Sequence, residues 1–559
     1  MGGMGLRGLA WVVALAAGTT ALAGASAGVA RASDPTAVQR PGTNEREREV
    51  AQAATRHPRE RDELRALYPA DGSAVDVWTT DDGRPTAIAR EAVALIGDAA
   101  ADGLRAADYA AAELAQAIAA LTLAPDVDVE TRARFDVALS LNLMRYWRDL
   151  HLGRVEPRAA GFLMRAPIDD HDFAAQLRAV AVSGDVRAAT EALRPPLPLY
   201  GALRRVLPEY RRLAATPAPA IVAPPASIKP GGTFAGLPDV RRHLQTLGDL
   251  PPDAQPPADP VAYDGEIVTA VTRFQRRHGL EPDGVLGRGT LAALATPLAD
   301  RVRQIEVALE RLRWLPHLAP DGFLAVNIPM FRLWGWGEMP PDGQPAFDMR
   351  VVVGRARHTE TPVLVEEMRH LIFRPYWNVP RSILRGEILP ALARDAAYLE
   401  QNDMEVVAGD SDRSPVVPMG PEAVAGLREG RYRVRQRPGA GNALGLVKFV
   451  FPNDESIFMH DTPARALFAR ARRDFSHGCI RLERPVDLAA WVLRDQPEWT
   501  RERILAAMNG NVTVQVPLTR PLPVILFYLT AAVMPDDGTI HFAEDIYGHD
   551  ARLARLLGY

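Results

Sequence analysis

The hydrophobic period of the chain changes once, near residue 320, and no other feature constrains the fold as strongly. Before that point apolar residues recur at helical spacing among Ala, Leu and Arg, all good helix formers. Ala92-Val93-Ala94-Leu95-Ile96 and Phe135-Asp136-Val137-Ala138-Leu139-Ser140-Leu141 are stretches of this kind. After it come short runs of strand character: Leu324-Ala325-Val326-Asn327-Ile328, Met349-Arg350-Val351-Val352-Val353, His370-Leu371-Ile372-Phe373 and Leu446-Val447-Lys448-Phe449-Val450. Val512-Thr513-Val514-Gln515-Val516 alternates as a half-buried strand should, and Pro523 to Leu529 reads as a buried one. With 559 residues there is room for several cores, so the expected fold class is multidomain α+β: an all-α N-terminal scaffold, a small three-helix module and a β-rich domain carrying an insertion.

The expected divisions follow. Residues 1–32 read as a signal peptide: Arg7 supplies the positive start, Leu9 to Ala23 is mostly apolar, and small-residue sites follow at Ala25-Ser26-Ala27 and Ala30-Arg31-Ala32. Residues 33–60, with the run Glu45-Arg46-Glu47-Arg48-Glu49, read as a flexible solvated segment. The helical scaffold takes 61–215, and a proline-rich linker takes 216–232. The three-helix module takes 233–297, with Val240, Leu244 and Leu247 on one apolar face and Ile267, Val268, Val271 and Phe274 on another. A connecting helix fills 298–318, the β-rich domain 319–535, and a tail 536–559. Within the β-rich domain, residues 382–437 break the strand rhythm, and Pro390-Ala391-Leu392-Ala393-Arg394 is helical in character, so this stretch is an inserted subdomain. Phe274-Gln275-Arg276-Arg277-His278-Gly279-Leu280 leading into Asp283-Gly284 resembles a peptidoglycan-binding domain. Tyr263, Phe274 and His278 are candidates to line a glycan or peptide groove there, although Phe274 also stands at a core position.

Composition narrows the chemistry. A net charge of −4 lacks the electrostatic footprint of a nucleic-acid binder. The single cysteine, Cys479, rules out an intramolecular disulfide and a thiolate zinc cluster. His460, His477, His358 and His370 show no HExxH spacing, so neither a metal nor a cofactor is expected. An export signal implies an oxidising compartment, here the periplasm; membrane attachment is expected only if the signal stays uncleaved. A lone thiol there is either an inert buried side chain or a reactive one.

Its surroundings favour the reactive reading. Ser476-His477-Gly478-Cys479-Ile480-Arg481-Leu482 is polar and glycine-flexed, a poor core sequence and a good site loop. The strand-like Ser456-Ile457-Phe458-Met459 leads into His460-Asp461-Thr462-Pro463. A cysteine attacks as thiolate, and an imidazole can hold that thiolate as an ion pair and later deliver a proton. Gly478 permits close backbone approach and leaves the N–H groups of Gly478 and Cys479 to face a developing oxyanion. Arg481 is a fixed cation suited to a carboxylate. Pro485 opens a helix whose Leu488, Trp491 and Val492 would anchor the loop.

The loop together with His460-Asp461-Thr462-Pro463 resembles the catalytic signature of L,D-transpeptidases with a YkuD-type domain. The wider match is to the large Gram-negative, YcbB-like form. It is carried by Val326-Asn327-Ile328-Pro329, Arg374 to Pro380, Pro438-Gly439, Asn442-Ala443-Leu444-Gly445, Phe451-Pro452-Asn453, Asp545-Ile546-Tyr547-Gly548, and Tyr146-Trp147 with Leu150 to Arg154. The resemblance implies Cys479 as nucleophile, His460 as general acid/base, the Asp461 backbone carbonyl orienting the imidazole, and Gly478 and Cys479 N–H as oxyanion hole. It implies that His477, Ser476 and Arg481 shape the pocket, that Trp377 and Asn378 border the cleft, and that the insertion caps it. Phe458 stands where the large form often has tyrosine, so the aromatic surface is kept and the hydroxyl is missing.

The function so implied is cross-linking of peptidoglycan stem peptides through a cysteine thioester, with stem peptides and glycan as partners and other cell-wall synthases as further ones. Hydrolysis in place of cross-linking, attachment of a wall protein by the same chemistry, a cysteine endopeptidase, and a non-catalytic wall-binding scaffold remain open alternatives.

Overall fold

The computed structural model describes residues 43–69, 77–124, 126–164, 170–217, 221–222, 224–255, 257–315, 322–337, 340, 342–357, 359–409 and 411–559. The expected signal segment, 1–32, and His358 lie outside the described residues. Among the described residues no helix is long and apolar enough to cross a membrane.

The scaffold is organised by the helix Val129–Leu152, whose start is capped by the Asp128 carboxylate accepting from the Thr131 N–H. Phe135, Leu139, Leu143, Trp147 and Leu150 of this helix are buried, and the Trp147 indole N–H donates to Thr190 Oγ1 at 2.8 Å. The stretch expected to be a flexible segment instead contains the helix Thr43–Arg56. Val50 and Ala54, one turn apart, are buried, and Arg46 pairs with the buried Asp136 of the long helix at 2.9 Å. The charge run is therefore wound into the first turns of a docked helix and is not a solvated coil.

The three-helix module has its own core of Leu237, Val240, Leu244, Tyr263, Ile267, Val271, Phe274, Leu286 and Leu294. The candidate groove residues are not on a groove. Tyr263 and Phe274 are fully buried, and His278 stacks on Phe274 at 3.8 Å with Phe542 of the β-rich domain on its other side. Arg277, paired with the buried Asp249, donates to the Ile540 carbonyl at 2.9 Å, so this end of the module is a docking face against the β-rich domain.

The β-rich domain begins with β1 (Phe323–Asn327), β2 (Arg332–Trp336), β3 (Phe347–Gly354) and β4 (Leu364–Phe373). The insertion holds β5 (Trp377–Asn378), β6 (Met404–Val407), β7 (Val416–Val417) and β8 (Arg433–Gln436). The chain returns through β9 (Val447–Val450), β10 (Met459–His460), β11 (Asp474–Ser476), β12 (Ile480–Leu482) and β13 (Val514–Phe527), and ends with the hairpin β14 (Ala531–Val533) and β15 (Ile540–Phe542). The main sheet runs β11-β3-β12-β10-β9-β4-β13-β1-β2 and closes on itself through a β2–β3 pairing. Closure removes the exposed edges that an open sheet would present. The insertion forms a separate four-stranded sheet, β5-β8-β6-β7, over a core that includes Val379, Ile383, Leu384, Val406, Leu427 and Val434. It therefore starts at Trp377, a few residues earlier than the broken strand rhythm indicates.

The C-terminal stretch is a built element and not a tail. Asp545 caps the helix His549–Leu557 by accepting from the His549 and Asp550 N–H groups, both at 2.9 Å. Asp550 pairs with Arg311 of the connecting helix Leu298–Arg313 at 2.5 Å. The same connecting helix places the fully buried Arg313 beside Asp102 of the scaffold, which also takes Arg194 through Nε and Nη2 at 3.0 Å each. Scaffold and barrel thus share one continuous apolar core.

Candidate active site

Three neighbouring strands build the site through their alternation. β10 pairs antiparallel with β9 and parallel with β12, so that Lys448, His460 and Arg481 stand directly across from one another. Residues in register on neighbouring strands point to the same face. Their neighbours Phe449, Met459 and Ile480, on the opposite face, are completely buried in the core. The turn before β10 is stitched by Asn453, whose Nδ2 donates to the Phe451 and Ile457 carbonyls at 2.7 Å each while its Oδ1 accepts from the Ile457 N–H.

His460 is 4% exposed, and its Nδ1–H donates to the Asp461 carbonyl at 2.5 Å. That bond fixes the tautomer and leaves Nε2 as the basic nitrogen. The carbonyl is itself held in place. Asp461 N–H donates to the Val447 carbonyl at 3.0 Å, and Asp461 Oδ2 accepts from the Leu446 N–H at 2.9 Å. Gly445 makes this possible, since a Cβ there would lie 2.4 Å from Asp461 Oδ2. Burial drives the His460 pKa down to about 3, helped by the Arg481 and Lys448 charges and opposed by the Asp461 carbonyl.

Cys479 is half-buried at the end of the β11–β12 turn, and the next residue, Ile480, donates its N–H to the Phe458 carbonyl at 3.1 Å. Loop and β10 are thereby joined. Burial raises the Cys479 pKa, and the Phe458 backbone, Lys448 and Arg481 pull against that rise. Both shifts run toward the neutral forms, the thiol and the uncharged imidazole, and away from a thiolate–imidazolium pair. The expected oxyanion pair also changes. Ser476, 1% exposed, must satisfy its hydroxyl inside the loop, where it donates to the Cys479 carbonyl at 2.6 Å and accepts the Gly478 N–H at 3.2 Å. The Gly478 donor is thus engaged, whereas the Cys479 N–H has no hydrogen bond among the described residues.

Of the other expected site residues, Phe458 lies with the site, its ring 5.7 Å from that of His460 and 3.8 Å from Lys448 Nζ. His477 Nε2 meets Glu387 Oε1 of the insertion at 2.6 Å, tying the cap to the cysteine loop. Trp377 and Asn378 form the first strand of the insertion. Trp377 packs on the insertion core and Asn378 donates to Asp412 at 3.1 Å.

Three further residues were given no site role by the sequence reading. Thr361, fully buried, donates its hydroxyl to the Gly478 carbonyl at 2.7 Å and accepts the Gly354 N–H at 2.9 Å. Tyr547, from the C-terminal stretch, accepts the Thr361 N–H at 3.2 Å and donates to the Gly354 carbonyl at 2.6 Å. Nothing local marks Thr361. Lys448 did carry a signal, being a charge at the alternate position of an otherwise apolar strand. Tyr547→Phe is expected to destabilise the chain by about 1–3 kcal/mol, because two backbone groups lose their partner. It should also slow carbapenem acylation of Cys479 about tenfold through loop misplacement, measured by intact-mass kinetics beside a thermal melt.

The model of the YkuD L,D-transpeptidase catalytic domain matches residues 321–514. A model described as a scaffold domain matches 62–207, and one described as "Putative peptidoglycan binding domain" matches 236–294. A Haemophilus influenzae protein named "Putative L,D-transpeptidase" is 31% identical over 251 residues, covering 45% of this chain and 49% of that protein. The chain thus spans about half the length of the curated relative it matches.

Proposed function

We propose that this chain, whose residues 321–514 match the L,D-transpeptidase catalytic domain, is an L,D-transpeptidase that cross-links peptidoglycan stem peptides through a thioester on Cys479. The observation that carries the proposal is the buried His460, its Nδ1 tied to the Asp461 carbonyl, on the strand that holds the loop of the only cysteine.

The donor is a tetrapeptide stem whose diamino acid is followed by D-Ala. His460 Nε2 takes the thiol proton as Cys479 Sγ attacks the diamino-acid carbonyl, and the Cys479 N–H faces the developing oxyanion. The C–N bond breaks, and His460 gives that proton to the departing D-Ala amine. The side-chain amine of a second stem then attacks the thioester and loses a proton to His460, which returns it to the thiolate sulfur. The product is a 3→3 cross-link. Water in place of the amine gives L,D-carboxypeptidase activity. The peptidoglycan-binding domain supports the polymer as substrate, and the N-terminal Arg7 and Leu9 to Ala23 pattern supports the periplasm as the place of work.

The test is mass spectrometry of purified tetrapeptide stems incubated with the chain. 3→3 dimers are expected from the native chain and none from Cys479→Ala. Dimers from Cys479→Ala overturn the cysteine mechanism.

A further inference from the structure

Lys448 and Arg481 flank His460 in register, one on each neighbouring strand, and both are half-buried. Among the described residues neither is hydrogen-bonded to an acceptor or paired with a carboxylate. Arg481 Nε is buried without a partner, and the Lys448 ammonium lies over the Phe458 ring at 3.8 Å. Arg332, Arg374 and Arg433 of this domain also leave Nε without a partner, but each places Nη2 on an acceptor, Asp348, the Pro438 carbonyl and the Ser411 carbonyl in turn, and the fully buried arginines are held as well. Arg473 donates to the Val351, Phe331 and Arg470 carbonyls, and Arg435 binds Glu405 and the Asp412 carbonyl. Withdrawing a cation from water without a partner is costly, and such groups persist where a ligand completes them. The surrounding charges sharpen the point. Arg355 repels Arg481, while the acidic groups that act on Lys448 are the Cys479 sulfur and the exposed Asp412 of the insertion.

The geometry points to an anionic subsite formed by Lys448 with Arg481, which takes the free α-carboxylate of the residue that leaves the donor stem. The inference rests on the reaction proposed above and adds the group that selects its substrate. One residue separates that carboxylate from the attacked carbonyl, a Cα–Cα step of about 3.8 Å. Neighbouring strands lie about 4.8 Å apart. A carbonyl held between Cys479 and His460 therefore puts the next carboxylate within reach of the Lys448 ammonium. A stem extended by one more residue carries its carboxylate a full step too far, and an amidated stem offers none.

The experiment titrates the Cys479→Ala chain with a tetrapeptide stem and with the same stem as its C-terminal amide. The acid is expected to bind about tenfold tighter or more, as for a charge-assisted contact. Adding Lys448→Met should reduce that ratio to about threefold or less without weakening amide binding, and Lys448→Arg should restore most of it. Equal affinities for acid and amide overturn the subsite, as does an undiminished ratio in Lys448→Met or the absence of any stem binding. Iodoacetamide, which is neutral, reports on the thiol of the Lys448→Met chain that retains Cys479. A fall in alkylation with an intact acid-to-amide ratio would make Lys448 a thiolate stabiliser and also overturn the subsite. A preserved ratio alongside a native chain that forms no thioester would remove the catalytic reading and leave the carboxylate subsite standing.

Discussion

Alkylation of Cys479 by iodoacetamide should climb about tenfold per pH unit from pH 6 through the ordinary thiol range, with no plateau at low pH. The expectation follows from opposite pKa shifts on the two partners. Burial holds His460 at about 3, so its imidazole is uncharged at every pH where the chain works. Burial also raises the Cys479 thiol, against the pull of Lys448 and Arg481. The sulfur is then protonated at neutral pH and is activated by proton transfer as the substrate arrives. An ion-paired cysteine would behave otherwise, reacting at pH 6 some 10²–10³-fold faster than a thiol near 9, with a flat profile above that. A flat profile between pH 5 and 8 sinks the neutral resting pair. A linked effect on stability has a definite sign. Between about 6.5 and 3 the unfolded chain binds a proton at His460 that the folded chain refuses, so stability falls as the pH drops through that window.

Gly478→Ala should reduce acylation of Cys479 by about a hundredfold, the scale expected when a reacting atom is displaced by about 1 Å. Gly478 has φ of +112°, a conformation that a residue with a side chain adopts only under strain. Its added Cβ would also sit 3.0 Å from Ile457 Cδ1. The Ile457 methyl can give way, but the backbone torsion cannot relax without turning the peptide that precedes Cys479. Strain of this kind is worth about 1–3 kcal/mol, too little to unfold the chain. The melting temperature should therefore fall by only a few degrees while carbapenem acylation, followed by intact mass, nearly stops. Unchanged acylation would show that the loop tolerates a second geometry.

The chemistry was more legible than its support. Ser476 to Leu482 and His460-Asp461 are contiguous runs, and contiguous residues reveal their neighbours. Period two in the β9 stretch and helical spacing from Ile267 to Phe274 likewise declare their elements, because one buried face repeats many times. The helix Thr43–Arg56 hides because its buried stripe includes Val50 and Ala54 amid a run of charges, and its ion pair with Asp136 is made across a long span of sequence. Thr361 and Glu387 were invisible for the same reason, and the run that holds Tyr547 carried a resemblance but no hint of its partners. Each acts through hydrogen bonds to a segment distant in the chain, and such bonds leave no periodicity. Gly478 was singled out for a free N–H, and the Ser476 hydroxyl that occupies that N–H could be found only in three dimensions.

The tether from Tyr547 through Thr361 to the Gly478 carbonyl gives the nucleophile a birth order. Cys479 is synthesised well before the stretch that braces its loop, and pairings between distant segments form late in folding. A chain whose last turn has not docked carries the thiol but not its posture. Full competence to react therefore waits on the docking of a segment made after the nucleophile.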